Sequence, residues 1–228
     1  IANCLVGSEM CIRDRSWEEA LSLASEKMKS GKTTFVAGDL VSVEALYAAS
    51  ELCEYLEGSK MLGDFGASCT LSDRSYYVGN GKIEDIDSVE NIILLGANPR
   101  KEASVINARI RKAWLSGANV YRLGLEENLT YDVEELGCSF FDFQNFLDKM
   151  SSKKSFWADT LFLVGYSFIN AKSSGAALNT VRSIVEKYKS KFLVLHPNAS
   201  AVGCLDLGFE IESNVKQKLL SEANVVYN

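Results

Sequence analysis

The amino-acid sequence predicts an α/β fold with Rossmann-like parallel sheets and helices on both faces. Apolar runs of four to six residues, the length of buried strands, alternate with longer segments of helical periodicity. Serine, asparagine and proline stand where these helices should begin, and glycines stand where several should end. Short strands that alternate with helices are typical of βαβ units, which build parallel sheets covered on both sides.

The predicted elements follow one another along residues 16–228. The predicted strands lie at residues 33–38, 91–96, 119–123, 160–164, 191–196 and from 224 onward. The predicted helices lie at residues 17–30, 43–57, 98–115, 143–150 and 176–188. Residues 60–81 are expected to contain strand fragments and loop, and residues 151–158 are expected to mark a sub-domain break between two sub-sheets.

Three of the helix starts carry specific signals. Ser16 and Glu19 form a capping-box pattern, in which the hydroxyl accepts from an amide and the carboxylate reaches back to the cap. Ser42 is a suitable N-cap for the second helix. Asn98 followed by Pro99 combines a good N-cap with a good first helical residue. These signals predict that helices begin directly after residues 16, 42 and 98.

The first 15 residues differ from the rest because they show neither helical nor strand periodicity. They also lack the basic start and long apolar core of a signal peptide. Their string LVGSEMCIRDR resembles one that recurs at the ends of unrelated translated environmental assemblies. We therefore expect residues 1–15 to be a non-native or disordered extension, and residues 16–228 to be a domain that is incomplete at both ends.

Composition and charge limit the classes of function. The chain has 228 residues, is 47% apolar and carries a net charge of −6, which disfavours nucleic-acid binding. The longest apolar runs are much shorter than the roughly 20 residues of a membrane-spanning helix, so direct membrane insertion is not expected. The six cysteines lack the close pairing of iron–sulfur and zinc sites and are predicted to be buried free thiols. They are Cys4, Cys11, Cys53, Cys69, Cys138 and Cys204.

A resemblance to a known family rests on the predicted strand at residues 91–96 and the helix after it. Residues 96–103 read GANPRKEA, and residues 107–112 read NARIRK. At these positions the chain resembles the large iron–sulfur subunit of respiratory complex I (NADH:quinone oxidoreductase), which carries G-T-N-P-R-x-E-A and then N-A-R-I-R-K. Ala97 is the visible departure. Shorter matches follow the same order over about residues 16–210, at 16–21, 37–38, 44–46, 73–75, 129–132, 199–202 and 206–209.

The resemblance implies a molybdopterin oxidoreductase fold of the formate dehydrogenase and DMSO reductase type. In those relatives the G-x-N-P turn approaches the phosphates or pterin of a guanine dinucleotide. If a dinucleotide site survives here, it is formed by Gly96, Asn98, Pro99 and Arg100, because such a turn can offer amides to an anion. Complex I subunits are not thought to hold molybdenum, and nothing in residues 16–58 clearly supplies the metal ligand. We therefore expect the turn to be structural, with no catalytic and no metal-binding residue.

For function, the resemblance implies a structural domain that supports NADH-to-quinone electron transfer without a redox centre of its own. The [2Fe-2S] and [4Fe-4S] clusters would lie upstream in the parent subunit, and the partners would be other peripheral-arm subunits of complex I. The location would be peripheral, on the cytoplasmic face of the bacterial inner membrane or the matrix side of the mitochondrial one. The alternatives are a fragment of a molybdopterin-guanine-dinucleotide oxidoreductase and a free-standing nucleotide-binding module.

Several other candidates have simpler structural interpretations. His196 ends a predicted strand and is expected to have a packing or capping role. The sequence Gly79-Asn80-Gly81 is expected to be a turn, and Gly31-Lys32-Thr33 lacks the upstream glycine of a phosphate loop. Two groups of charged side chains are predicted to be solvated, and a partner-facing surface is the alternative for the basic group. They are Lys101, Arg109, Arg111 and Lys112, and Glu84, Asp85 and Asp87.

Overall fold

Two parallel sheets organise the chain, and the predicted fold class is confirmed. The computed structural model describes residues 15–38, 40–63, 74–169, 174–196, 198–209 and 222–227. The smaller sheet has the strand order β2-β1-β8. Its strands are β1 (Thr33–Ala37), β2 (Lys60–Gly63) and β8 (Val225–Tyr227). The expected extension at residues 1–15 lies, except for Arg15, outside the described residues, as do Cys4, Cys11, Cys69 and Asp73.

The larger sheet has five parallel strands in the order β5-β4-β3-β6-β7. They are β3 (Asn91–Leu95), β4 (Asn119–Leu123), β5 (Glu134–Gly137), β6 (Thr160–Val164) and β7 (Lys191–Val194). The chain starts in the centre with β3, proceeds to one edge through β4 and β5, and then crosses back to β6 and β7. This reversal creates a switch point between β3 and β6, the place where open α/β sheets bind ligands.

Helices connect the strands and cover both sheets. They are α1 (Trp17–Lys29), α2 (Val43–Tyr55), α3 (Arg74–Val78), α4 (Pro99–Glu102), α5 (Ser104–Leu115), α6 (Phe140–Met150), α7 (Lys154–Ala158), α8 (Tyr166–Ile169), α9 (Ser174–Tyr188) and α10 (Ala201–Asp206), with a 3₁₀ turn at Ile83–Asp87. The predicted caps are confirmed. The Ser16 hydroxyl accepts from the Glu19 amide, and the Glu19 carboxylate accepts from the Ser16 amide. The Ser42 hydroxyl accepts from the Ala45 amide.

Alternate residues of the central strands fill two cores, one on each face of the larger sheet. Ile93 and Phe162 belong to the aromatic core beneath α6, α7 and α9. Ile92 and Leu161 belong to the aliphatic core beneath α5. All five residues of β3 and of β6 are buried. Burial of each large apolar side chain stabilises the fold by about 1.5–3 kcal/mol, which explains why these strands are continuous apolar runs.

The expected break between two sub-sheets at residues 151–158 is wrong. β6 pairs directly with β3, with Ile93 opposite Phe162, so strands from both sides of this segment share one sheet. The segment contains α7, whose Trp157 is buried in the aromatic core and donates from Nε1 to the Met150 carbonyl. The change of sheet instead occurs between β2 and β3, and again before β8.

Several elements differ from the sequence prediction. The helix expected over residues 98–115 is two helices, because Ala103 adopts a non-helical conformation with φ −153° and ψ 75°. β5 is acidic and largely exposed, so it lacks the apolar run that identifies a buried strand. α3 and α10 have only five and six residues, too few to display helical periodicity. None of the described helices has the length and apolar character needed to cross a bilayer.

Candidate functional site at the carboxyl edge of the larger sheet

The turn after β3 lies at the switch point of the larger sheet. We call residues 96–102 the β3 turn. Gly96 has a positive φ of +55°, a conformation that glycine adopts without strain, and its amide donates to the Leu123 carbonyl at 2.8 Å. Two adjoining clefts of about 240 and 210 Å³ flank the turn. Both are lined by Gly96, Leu123, Gly124, Leu125 and Ser167.

The backbone of the β3 turn packs directly against the start of α8. A Cβ atom on Gly96 would lie 2.7 Å from the Phe168 amide nitrogen and 2.7 Å from Ser167 Oγ. A Cβ atom on Gly165 would overlap the Gly96 carbonyl, and Ser167 Oγ donates a hydrogen bond to that same carbonyl. Gly96 thus permits a close backbone approach. The group that approaches it is part of the chain itself.

Asn98 and Glu102 cap α4 reciprocally. The Asn98 side-chain oxygen accepts from the Lys101 amide at 3.3 Å. The Asn98 amide in turn donates to Glu102 Oε1 at 2.7 Å. Pro99 occupies the first helical position, as predicted, and has no amide hydrogen to offer. An internal carboxylate therefore already occupies the place at this helix start where an anion would be bound.

The two cationic side chains of α4 turn toward the loop after β4. Arg100 donates from Nη1 to the Asn128 carbonyl at 3.1 Å. Lys101 Nζ lies 3.1 Å from a carboxylate oxygen of Glu127. Both side chains are therefore engaged with acceptors of the same chain.

Arg122 is a residue of this edge that sequence reasoning missed. It lies within β4 and is only 3% exposed, and its Nε donates to Glu135 Oε2 at 3.0 Å. Its Nη2 donates to the other Glu135 oxygen, and its Nη1 donates to the Glu127 carbonyl. The signal in the sequence was an arginine inside a run of strand-forming residues, because arginine is rarely fully buried unless it is paired.

Tyr131 lies on the aliphatic side of the same edge. Burial raises the pKa of its phenol, and the positive charge of Arg122 acts in the opposite direction. The buried hydroxyl has no hydrogen-bond partner among the described residues. Tyr131 therefore remains a neutral, protonated phenol at physiological pH.

Charge at this edge is balanced within the chain. Three cations and three carboxylates lie here: two cations pair with carboxylates, Arg100 donates to a backbone carbonyl, and Glu102 caps the turn. They are Arg100, Lys101 and Arg122, and Glu102, Glu127 and Glu135. The arrangement does not fit the phosphates of a dinucleotide, because a phosphate site needs amides and cations that face the ligand unpaired.

The single histidine has a structural position. The ring of His196 follows β7, is half-buried and donates from Nε2 to the carbonyl of Tyr77 in α3. Asp206 of α10 accepts from the Tyr77 hydroxyl at 2.7 Å and from Arg74 Nε at 3.0 Å. These contacts join α3, α10 and the end of β7. They support the packing role that was predicted for His196.

The two glycine motifs are also structural. Asn80 covers the open edge of β7: its side chain accepts from the Phe192 amide at 2.8 Å and donates to the Ser190 carbonyl at 3.2 Å. Gly79 forms an antiparallel bridge with Leu193 and has a positive φ of +79°. At the other motif, the Lys32 amide donates to the Asn224 side chain at 3.1 Å, which holds β8 beside β1.

The charged groups are more ordered than the sequence predicted. Arg109 pairs with Asp87. The Asp85 carboxylate caps the 3₁₀ turn by accepting from the Lys82 amide at 2.7 Å. The prediction of a solvated surface therefore holds for the exposed Glu84, Asp87, Arg111 and Lys112, whereas Asp85 is half-buried.

The described cysteines do not share one environment. Cys204 is fully buried, and burial raises the pKa of its thiol to about 12. Cys138 is exposed and Cys53 is half-buried, so the prediction of buried thiols is wrong for Cys138. Within the described residues, no three side chains of the metal-ligating types come together.

Comparison with known proteins places this geometry in a family. The model of the molybdopterin oxidoreductase family matches residues 13–228. The chain belongs to the molybdopterin oxidoreductase family. The resemblance seen in the sequence implies a dinucleotide at this turn in cofactor-binding relatives, so the occupation of the β3 turn by groups of the same chain is the feature that needs explanation.

Two relatives illustrate the similarity within the molybdopterin oxidoreductase family. The chain is 32% identical over 224 residues to the NADH-ubiquinone oxidoreductase 78 kDa subunit, mitochondrial, of Candida albicans, covering 90% of this chain and 31% of that protein. It is 30% identical over 213 residues to a subunit of the NADH-quinone oxidoreductase of Rickettsia bellii, covering 86% of this chain and 31% of that protein. The chain thus spans about a third of the length of these relatives.

A solved structure supports the fold alone. A chain of the formyltransferase/hydrolase complex from Methylorubrum extorquens, in complex with methylofuran, aligns with a TM-score of 0.61. It covers 93% of this chain and 73% of the other, at 15% sequence identity. At this identity the two proteins share an architecture, and the comparison carries no information about activity.

Proposed function

We propose that this chain is a structural domain of the large peripheral-arm subunit of NADH:quinone oxidoreductase (complex I). In this role it supports electron transfer from NADH to quinone without holding a redox centre and without catalysing a step by itself. Support comes from relatives that are named as subunits of this enzyme and that match about nine-tenths of the chain. The activity belongs to the whole complex, of which this chain would be one supporting part.

The observation that carries the proposal is the hydrogen bond between the Asn98 amide and the Glu102 carboxylate. In a cofactor-binding member of the fold, this turn would present its donors to an anionic ligand. In this chain the Asn98 amide instead donates to a carboxylate of the same turn. The β3 turn then acts as a rigid joint between the larger sheet and α5, which is the task of a scaffold.

The remaining parts of the proposal concern the whole protein. The [2Fe-2S] and [4Fe-4S] clusters would be bound by other segments of the parent subunit. Other peripheral-arm subunits would be the partners, and the exposed Arg111 and Lys112 on α5 form a basic surface that suits an acidic neighbour. The location would be peripheral, at the cytoplasmic face of a bacterial inner membrane or the matrix face of a mitochondrial one.

A second candidate is a fragment of a molybdopterin-guanine-dinucleotide oxidoreductase. The specific observation in its favour is the pair of clefts beside Gly96 and Ser167, which lie at the switch point of the sheet. The paired charges of Lys101, Arg122 and Glu127, which line the larger of these clefts, disfavour it.

The test is to tag the parent gene and purify the protein from membranes under mild detergent. Mass spectrometry would identify co-purifying subunits, and elemental analysis would measure iron and molybdenum per chain. We expect complex I subunits and iron, with NADH:quinone activity in the purified material. Stoichiometric molybdenum together with released pterin would overturn the proposal in favour of the second candidate.

A further inference from the structure

We propose that Glu102, Glu127 and Glu135 close the carboxyl edge of β3 and β4 against the pyrophosphate of a dinucleotide cofactor. These internal carboxylates take the donors that a dinucleotide-binding member of the fold would offer to its ligand. The inference rests on the fold family and the geometry of this edge. It does not depend on membership of complex I.

The first step concerns the backbone donors of the β3 turn. The Gly96 amide donates to Leu123, the Asn98 amide donates to Glu102, and the Lys101 amide donates to the Asn98 side chain. Pro99 has no donor. α4 has only four residues, so few aligned peptide dipoles add to the attraction of an anion. A phosphate arriving here would have to displace the Glu102 carboxylate, which is tethered and therefore present at high effective concentration.

The second step concerns the cations. Glu127 engages Lys101 through its carboxylate, and its backbone carbonyl accepts from Arg122. Glu135 forms a two-point ion pair with Arg122, whose side chain is almost entirely buried. Such a fork-to-fork pair is the strong geometry for arginine and a carboxylate. A pyrophosphate would bring further negative charge next to three carboxylates, of which Glu127 and Glu135 already pair with cations and Glu102 already accepts from the Asn98 amide.

The third step concerns space. In an open sheet of this type, the ligand enters the crevice between the strands on either side of the switch point. In this chain the Gly96 carbonyl and the start of α8 are in contact across that crevice, and Ser167 hydrogen-bonds the carbonyl. Backbone of the chain thus fills the entrance between β3 and β6. The two clefts beside it remain. The paired charges line the larger cleft, whereas the smaller one is lined by apolar and uncharged side chains.

The experiment compares the 228-residue chain with two triple variants of equal charge. The test variant is Glu102→Gln, Glu127→Gln and Glu135→Gln. The control variant is Glu18→Gln, Glu26→Gln and Glu44→Gln, which changes three exposed glutamates of α1 and α2. Binding of inorganic pyrophosphate and of GDP is measured by titration calorimetry at constant ionic strength, with circular dichroism to verify folding.

We expect the unmodified chain and the control variant to bind neither ligand at millimolar concentration. The test variant should bind pyrophosphate at least about tenfold more tightly than the control, because the Lys101 and Arg122 side chains and the Asn98 amide lose their charged partners. Stoichiometric binding of pyrophosphate or GDP by the unmodified chain would overturn the inference. Equal, negligible binding by a folded test variant and by the control would also overturn it.

If the test variant does not fold, the double variant Glu102→Gln, Glu127→Gln replaces it, because it leaves the buried Arg122–Glu135 pair intact. Two results would again overturn the inference: stoichiometric binding by the unmodified chain, or equal, negligible binding by the folded double variant and by the control. The measurement involves no other subunit and no metal. If the protein fails to co-purify with complex I subunits, this inference is unaffected. If the binding experiment contradicts this inference, the proposed function is still decided by the purification.

Discussion

The two sheets of this chain differ in how completely they are covered. In the five-stranded sheet, β3 and β6 are buried along their whole length, and a core lies on each face. Around the three-stranded sheet, the buried clusters are small, and large apolar side chains of the neighbouring helices remain exposed. These include Trp17 and Leu21 on α1 and Tyr47 and Tyr55 on α2. The five-stranded sheet therefore accounts for most of the apolar burial that stabilises the fold.

α1 shows this difference most clearly. Its sequence has apolar residues at positions 17, 20, 21, 24 and 28, a face that the periodicity predicts to be buried. In the structure, Met28 is the buried member of this face, and it packs with Phe35 and Leu56. The helix is formed as predicted, but within the described residues most of its apolar face is exposed.

The largest expected effect is in the aromatic core of the five-stranded sheet. Trp157 is 2% exposed and stacks on Phe162, so Trp157→Ala should lower the free energy of unfolding by about 3–5 kcal/mol. The matched control is Trp17→Ala, because Trp17 is 83% exposed, and we expect a change within about 0.5 kcal/mol. Urea denaturation measures both. Equal losses of unfolding free energy in the two variants would contradict the conclusion that the five-stranded sheet accounts for most of the stabilising burial.

A second prediction asks whether the smaller sheet opens separately. Leu46 of α2 is fully buried in a small cluster with Ala37 and Cys204, and Leu46→Ala should cost about 2–4 kcal/mol. Native-state hydrogen exchange should show faster exchange in β1 and β2, with unchanged protection in β3 and β6. Leu163→Ala, in the larger core, should instead lower protection in both sheets. Uniform loss of protection in Leu46→Ala would contradict separate opening.

A third prediction concerns the contact that closes the switch point of the larger sheet. A Cβ atom on Gly165 would overlap the Gly96 carbonyl and crowd Ala97, both part of the backbone turn. Gly165→Ala should therefore destabilise the chain by about 1–3 kcal/mol. Gly175→Ala is the control with the opposite expected sign. Gly175 lies in α9 with open space around it, so alanine should stabilise by about 0.5–1 kcal/mol. Thermal unfolding measures both.

The smallest effect is expected at Asp206, which links α10 to α3. Hydrogen bonds from the Tyr77 hydroxyl and Arg74 lower the pKa of this carboxyl. A lowered folded-state pKa means stability that is present above the ordinary value of about 4 and is lost as pH falls through the folded value. Because the pair is solvent-screened, Asp206→Asn should cost less than about 1 kcal/mol at pH 7.

The difference between Asp206→Asn and the unmodified chain should shrink as pH falls from about 5 to about 3. Urea denaturation at several pH values measures this change. A difference that stays constant across this range would show that the carboxylate charge does not contribute.

Local signals in the sequence were sufficient for most elements. The capping box of Ser16 and Glu19 formed as predicted, and so did the Asn98–Pro99 helix start. These signals succeed because the partners lie within three or four residues of each other. They failed at Ala103, where the chain bends between α4 and α5, and at β5, which is acidic and gains its strand conformation only by pairing with β4.

At the candidate site, the sequence identified the turn but not its chemistry. Gly96, Asn98, Pro99 and Arg100 do lie together at the carboxyl edge of the sheet. Whether their donors face a ligand or an internal acceptor depends on residues distant in sequence. Asn128 is 28 residues from Arg100, and Ser167 is 71 residues from Gly96. No local pattern encodes such a pairing.

The sequence by itself therefore determined the family, the alternation of strands and helices and the start of most helices, because short-range hydrogen bonds and apolar periodicity govern these features. Only the tertiary structure decided which strands share a sheet, which apolar faces are covered and where the three cations of the β3 and β4 edge find their partners. Those outcomes depend on contacts between remote segments. The β3 turn depends on contacts of both kinds. Its Asn98–Glu102 cap is local in sequence, whereas its closure by α8 and Glu135 depends on remote segments.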